Sequence, residues 1–203
     1  MIRAFFSLIV LVGLAAVFSV AALAESKSGA KLGQAAPAFE LTDQSGKTVR
    51  LADFSGKVVV LEWFNDGCPF VVKHYKEGHM NKLAEELKQK GVVWLAINST
   101  ESASTDHNKK VAADWNVNRP ILDDKSGKVG QLYGATNTPH LYVIDPQGAL
   151  VYRGAIDSDS SKDTSAVNGA TNYVAQAVSE VLAGKAVSKP ETKAYGCTVK
   201  YAD

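Results

Sequence analysis

The sequence predicts one α/β domain: a mixed central sheet with helices on both faces. Three observations carry this. Residues 57–64 (KVVVLEWF) and 92–97 (VVWLAI) are continuous apolar, β-branched runs, as strands buried on both faces should be. A helical repeat of apolar residues lies between them. Strands and helices then keep alternating, and a hairpin and a closing helix follow. With 203 residues the chain can fill one substantial core but not two large ones.

The elements follow in order. Residues 37–41 and 48–51 are short extended pieces around the turn Asp43-Gln44-Ser45-Gly46. Gly56 precedes the first long strand. Residues 68–89 read as one helix, because Met80, Leu83, Ala84 and Leu87 recur at i, i+3, i+4 and i+7, with Gly78 as a kink and Gly91 as a stop. After the strand at 92–97, a helix over 106–115 brings Val111, Ala112 and Trp115 to one side. A short strand at 119–122 and a short helix at 128–133, ended by Gly134, come next. Residues 141–144 and 149–153 flank Asp145-Pro146-Gln147-Gly148 and form a hairpin. Residues 156–171 are small and polar and read as a loop. The clearest helix covers 172–184, with Val174, Ala177, Val178, Val181 and Leu182 on one face. No repeat is visible.

Ahead of this domain, residues 1–24 hold a cation, Arg3, then an apolar run, then Ala22-Leu23-Ala24. That order is the pattern of a cleavable secretory signal; an uncleaved membrane anchor is the competing reading, since the run is nearly long enough to span a bilayer. Residues 25–34 read as a linker, 35–185 as the domain and 186–203 as a tail. No cysteine follows the apolar run, which argues against a lipoprotein. Export would place the domain in a periplasmic or secreted setting where disulfides persist, with no stable membrane insertion once the signal is removed. Hydrophobic residues are 46% of the chain, too many for a disordered one, and the net charge of +1 gives no basic excess for nucleic acid. Two cysteines are too few for a disulfide-stapled scaffold or a four-cysteine zinc site, but enough for redox chemistry.

Cys68 stands where a buried strand gives way to a helix. Backbone N–H groups and the positive end of the helix dipole favour a thiolate there, and Pro69 suits the first helical turn. The alternative is an inert, buried small hydrophobe, and a sulfur sealed in apolar packing would remove the reactive reading. Glu62 lies six positions earlier in an otherwise apolar strand. A carboxyl under a thiol could shuttle its proton; equally, Glu62 could be satisfied by a local hydrogen bond.

The chain resembles the thioredoxin-like superfamily, in particular its exported redoxin and peroxiredoxin-like branch of alkyl hydroperoxide reductase and thiol-specific antioxidant type. The resemblance runs from about Gly33 to Gly184. It rests on Gly33-Gln34-Ala35-Ala36-Pro37-Ala38-Phe39, Cys68-Pro69-Phe70-Val71 with Lys73-His74-Tyr75, Thr138-Pro139-His140, Val143-Ile144-Asp145-Pro146-Gln147-Gly148 and Tyr152-Arg153-Gly154-Ala155-Ile156-Asp157. It implies a thioredoxin-like fold and a thiol oxidoreductase that needs no cofactor. Cys68 would be the first cysteine of a C-x-x-C, with Val71 replacing the second. Pro139 would be a cis-proline whose loop packs on Cys68 and, through Thr138 and Pro139, meets substrate backbone; an ordinary strand-start proline is the alternative. A peroxide or disulfide would be the substrate and an external thiol the reductant.

The sequence departs from the family in two places. Without a cysteine at Val71 no intrahelical disulfide can form. The pattern P-x-x-x-T-x-x-C is also missing, with Leu61 in place of its Pro and Asn65 in place of its Thr. Asn65 could donate to substrate instead. Cys197 lies in an aromatic patch, Tyr195-Gly196-Cys197-Thr198-Val199-Lys200-Tyr201, which suggests that the tail docks. Cys197 could then resolve an oxidised Cys68, form a permanent disulfide with it, or never meet it. His79 and His107 read as solvated helix residues, and the acidic run 157–163 as a rim lacking the spacing of a calcium loop. Cys68 with His140 is a minor copper-binding alternative, and a non-catalytic binding module is another.

Overall fold

The computed structural model describes residues 29–101 and 103–202, so the expected signal lies outside the described residues. Among the described residues, nine strands and five α-helices follow one another. β1 (Glu40–Asp43), β2 (Thr48–Arg50) and β3 (Val59–Trp63) precede α1 (Pro69–Lys76) and α2 (His79–Gln89). Then come β4 (Val93–Asn98), α3 (Thr105–Asp114), β5 (Ile121–Asp123), α4 (Lys128–Tyr133) and β6 (Asn137–Thr138). β7 (His140–Ile144), β8 (Leu150–Gly154), α5 (Tyr173–Leu182) and β9 (Cys197–Thr198) complete the order.

Seven strands form one mixed sheet in the order β2-β1-β5-β4-β3-β7-β8. β3 lies inside it, parallel to β4 and antiparallel to β7, and every residue of it is buried. This explains its apolar run, interrupted only by Glu62, because a strand covered on both faces has no solvent side to make polar. Side chains alternate across the sheet. Val60 and Phe64 join Cys68, Val71, Met80, Val111, Val174 and Val178 in the core beneath α1, α2, α3 and α5. Val59, Leu61 and Trp63 face the other core, with Tyr133 of α4, Phe39 and Tyr142. The fold is the predicted α/β sandwich, with the second face covered by α4, the segment before β1 and part of the tail.

One expected element divides. Gly78 has φ +74°, a left-handed conformation that no continuous helix accepts, so the helix expected over 68–89 is two. Part of the expected linker contacts the domain: Ala30 is buried and the Gly33 amide donates to the Leu150 carbonyl at 2.8 Å, while Lys31, Gly33 and Gln34 are exposed. Asp157 and Asp159, in the expected loop, turn inward to side chains of α1 and the tail.

Candidate active site

Beyond Trp63 the chain turns through Asn65, Asp66 and Gly67, and Cys68 caps the N-terminus of α1, with Pro69 at its first position. Asn65 serves this turn. Its Oδ1 accepts from the Gly67 amide at 2.8 Å and its Nδ2 donates to Thr100 Oγ1 at 3.0 Å. Asp66 meets His107 Nε2 at 2.9 Å, which ties the turn to α3.

Cys68 is 1% exposed. Its Sγ donates to the carbonyl oxygen of Thr138 at 3.0 Å, and the Thr138–Pro139 peptide bond is cis. Directly opposite Thr138, in the antiparallel pairing of β6 with β9, is Cys197. Both cysteines are free thiols. The sulfur is covered but not left in hydrocarbon. Burial by itself would raise the Cys68 pKa. The Cys197 thiol beside it and the backbone amides of Cys197 and Val71 outweigh burial and bring it below the ordinary thiol range. Cys197 moves the other way, to about 11, through burial, its hydrogen bond to Cys68 and repulsion from that sulfur's charge. Of the two sulfurs, Cys68 is therefore the one favoured as thiolate, while its neighbour keeps its proton.

The tail holds Cys197 by contacts on both sides. The Arg153 amide donates to the Pro190 carbonyl at 3.0 Å, and the Ala155 amide to Thr192 Oγ1 at 2.9 Å. The Tyr195 ring lies tilted beside Phe70, its hydroxyl donates to Asp157 Oδ1 at 2.6 Å, and the same hydroxyl meets His74 Nε2 at 3.0 Å. Val199 is buried in the second core and the Tyr201 hydroxyl donates to the Ala135 carbonyl at 2.7 Å. Lys73 is buried on α1. Its ammonium donates to Asp159 Oδ2, the Asp159 carbonyl and the Ser161 carbonyl at 2.7–2.9 Å, and lies over the Tyr195 ring. His74 beside it is held neutral, its pKa about 3, by burial and the positive charge of Lys73. No periodicity marked Lys73, His74 or Asp157 as tail anchors; their positions in the resemblance motifs were the only signal.

Glu62 shares the sheet face of Cys68, but its partners are elsewhere. Its carboxylate accepts from Tyr75 Oη at 2.8 and 3.0 Å and from Trp94 Nε1 at 2.9 Å, and pairs with Arg119 at 3.3 Å. Tyr75 is seven residues past Cys68, about 10 Å along the helix axis. Arg119, which sequence reasoning passed over, completes this buried cluster through Tyr75 Oη and Asn81 Oδ1. His140 belongs to the opposite face, against Tyr142 at 4.6 Å between ring centres, and so does not meet Cys68. Burial and the nearby Arg153 charge bring its pKa to about 4. Among the described residues no three His, Cys, Asp or Glu side chains group as metal ligands.

The AhpC/TSA family model matches residues 32–153, more than half of the chain. The thiol-disulfide oxidoreductase ResA of Bacillus thuringiensis subsp. konkukian is 31% identical over 121 residues, 60% of this chain and 68% of that protein. Two solved structures share the fold with TM-scores of 0.74. One is a hypothetical protein from Sinorhizobium meliloti 1021, 26% identical, covering 86% of this chain and 97% of that one. The other is a conserved protein from Geobacillus kaustophilus, 29% identical, covering 86% and 94%. A family match that spans the first helix and the cis-proline, around a cysteine at the corner between strand and helix, identifies the chain as a member of the AhpC/TSA family, among the thiol oxidoreductases of thioredoxin-like fold.

Proposed function

We propose that the chain is an exported thiol oxidoreductase in which Cys68 is the nucleophile and Cys197 the resolving thiol. The observation that carries this reading is the register of β6 and β9, which sets Cys197 opposite the residue whose carbonyl receives the Cys68 thiol. The leader-like composition of residues 1–24 supports export.

The cycle follows from the two pKa displacements. The Cys68 thiolate attacks a disulfide sulfur, forming a mixed disulfide and expelling one thiolate, or attacks a peroxide oxygen, giving a sulfenic acid and an alcohol or water. Either product removes the negative charge from Cys68. The hydrogen bond and the charge repulsion that add to burial in raising the Cys197 pKa go with it, while Lys200 and Lys162 continue to lower it. Cys197 then loses its proton and attacks Cys68, and a second thiol or water departs. The second thiol is thus restrained until the first has reacted. An external dithiol reduces the Cys68–Cys197 disulfide to reset the pair.

Thr138 and Pro139 hold the acceptor edge at Cys68, and Pro69 and Asn65 shape the turn that presents it. Glu62 is a positioning residue in this reading, fixing the far end of α1 through Tyr75. Peptide mapping without reductant after one equivalent of hydrogen peroxide or a small disulfide tests the cycle. A Cys68–Cys197 cross-link is expected in the native chain and loss of turnover in Cys68→Ser. Oxidised protein without that cross-link refutes it.

A further inference from the structure

We propose that β9 is a self-bound substrate strand. It fills a strand-addition site on β6 beside Cys68, so that extended polypeptide disulfides are excluded while the tail is docked and low-molecular-weight oxidants are the favoured substrates. The inference rests on Cys68 being the nucleophile.

β6 stands apart from the seven-stranded sheet, and among the described residues its only strand partner is β9. A bare strand edge pairs readily with any extended chain. Here the tail takes that edge and shows how a cysteine-bearing strand meets Cys68, with Cys197 opposite Thr138 and the Asn137 side chain donating to the Gly196 carbonyl at 3.1 Å. The fit is close. Gly196 has φ +107°, and a Cβ there would strike the Thr138 carbonyl oxygen and press on Phe70. The docked strand therefore has to carry glycine before its cysteine. Tyr195 and Val199, one on each side, plug the strand into the two cores. A polypeptide disulfide must displace all of this to reach the covered sulfur. A small oxidant takes up no strand edge and does not need β6 to be free.

The test uses the full chain carrying Cys197→Ser, in which Cys68 is the only thiol. Two activated disulfides share one leaving group: 2,2′-dithiodipyridine, and a peptide copying residues 193–201 whose cysteine bears the 2-pyridylthio group. In each, Cys68 attacks a sulfur, the probe's S–S bond breaks, a mixed disulfide forms and pyridine-2-thiolate leaves with the electron pair. Gly196→Ala on this background lifts β9, and Tyr195→Phe loosens it without adding bulk. Gly196→Ala should speed the peptide reaction relative to the small-probe reaction by about tenfold or more, the equivalent of one net hydrogen bond lost from the docked tail. Tyr195→Phe should move the same ratio in the same direction. An unchanged ratio in both variants, including one where both probes speed up equally, overturns the strand-site inference and leaves Cys68 as nucleophile intact. If neither probe reacts with Cys68 in any variant, the reading of Cys68 as nucleophile fails instead.

Discussion

Replacing Arg119 by Met tests whether Glu62 is an anchor or a proton carrier. Glu62 is fully buried and the Arg119 side chain only 9% exposed, so neither charge has solvent to fall back on. Met keeps an apolar stem but removes the guanidinium that lies over Tyr75 and Trp94, leaving a buried carboxylate with only the Tyr75 and Trp94 donors. Breaking one side of a buried pair costs about 3–5 kcal/mol, and for a domain of this size each kcal/mol lowers Tm by about 2–4 °C. A loss of roughly 6–20 °C is expected in thermal unfolding. In a Glu62→Gln background the Arg119 guanidinium is already a buried charge without its carboxylate, so the same substitution removes that charge and should be neutral or stabilising. The difference between backgrounds is the coupling. A loss below about 1 kcal/mol, or equal losses in both backgrounds, refutes the buried-pair account. The companion assay is the pH profile of Cys68 alkylation in Glu62→Gln. An anchor two turns away leaves that profile in place, whereas a profile that moves makes Glu62 the proton carrier.

The other predictions concern the thiols and the buried imidazole. Cys197→Ser should arrest the cycle after its first step, and intact-mass measurement should find a mixed disulfide on Cys68 with a small disulfide substrate; rapid release of both substrate thiols would contradict a resolving role. Val71 is fully buried and three residues past Cys68, so Val71→Cys should create a second resolving thiol. Peptide mapping after oxidation should then find a disulfide from Cys68 to the introduced thiol competing with the Cys68–Cys197 bridge, and its absence would show that the α1 backbone holds the two positions apart. His140 is neutral in the fold, with a pKa of about 4 against about 6.5 when unfolded, so the unfolded chain binds the extra proton. Its contribution to stability is complete above about pH 6.5 and is lost as pH falls towards 4, at about 1.4 kcal/mol per pH unit. His140→Phe should flatten urea-derived stability across that window by this amount, and an unchanged slope would show that the imidazole titrates freely.

Much of the site was legible in the chain because its signals are local. A buried strand followed by Cys68-Pro69 marks the corner between strand and helix, since apolar runs and helix-start residues report the backbone around them. Thr138-Pro139 was legible only through the resemblance to the thioredoxin-like superfamily; by itself the dipeptide reads equally as a strand start. The second helix was misjoined to the first because Gly78 reads as a kink and the periodic residues Met80, Leu83, Ala84 and Leu87 all lie beyond it; the left-handed backbone at Gly78 separates the two. Cys197 was visible as a thiol in an aromatic patch, but its register against Thr138 was not, because nothing in a two-residue strand specifies a partner so distant in the chain.

Residue types and their local periods by themselves determined the α/β class, the buried central strand and the placing of one cysteine at a helix N-terminus. Tertiary structure alone decided that Glu62 faces Arg119, that His140 lies on the sheet face away from Cys68, and that the tail seals the sulfur. The physical reason is range. Backbone preference and amphipathic period act over a few residues, whereas ion pairing, burial and thiol ionisation depend on which distant side chains packing brings together, and a linear pattern carries no record of those distances.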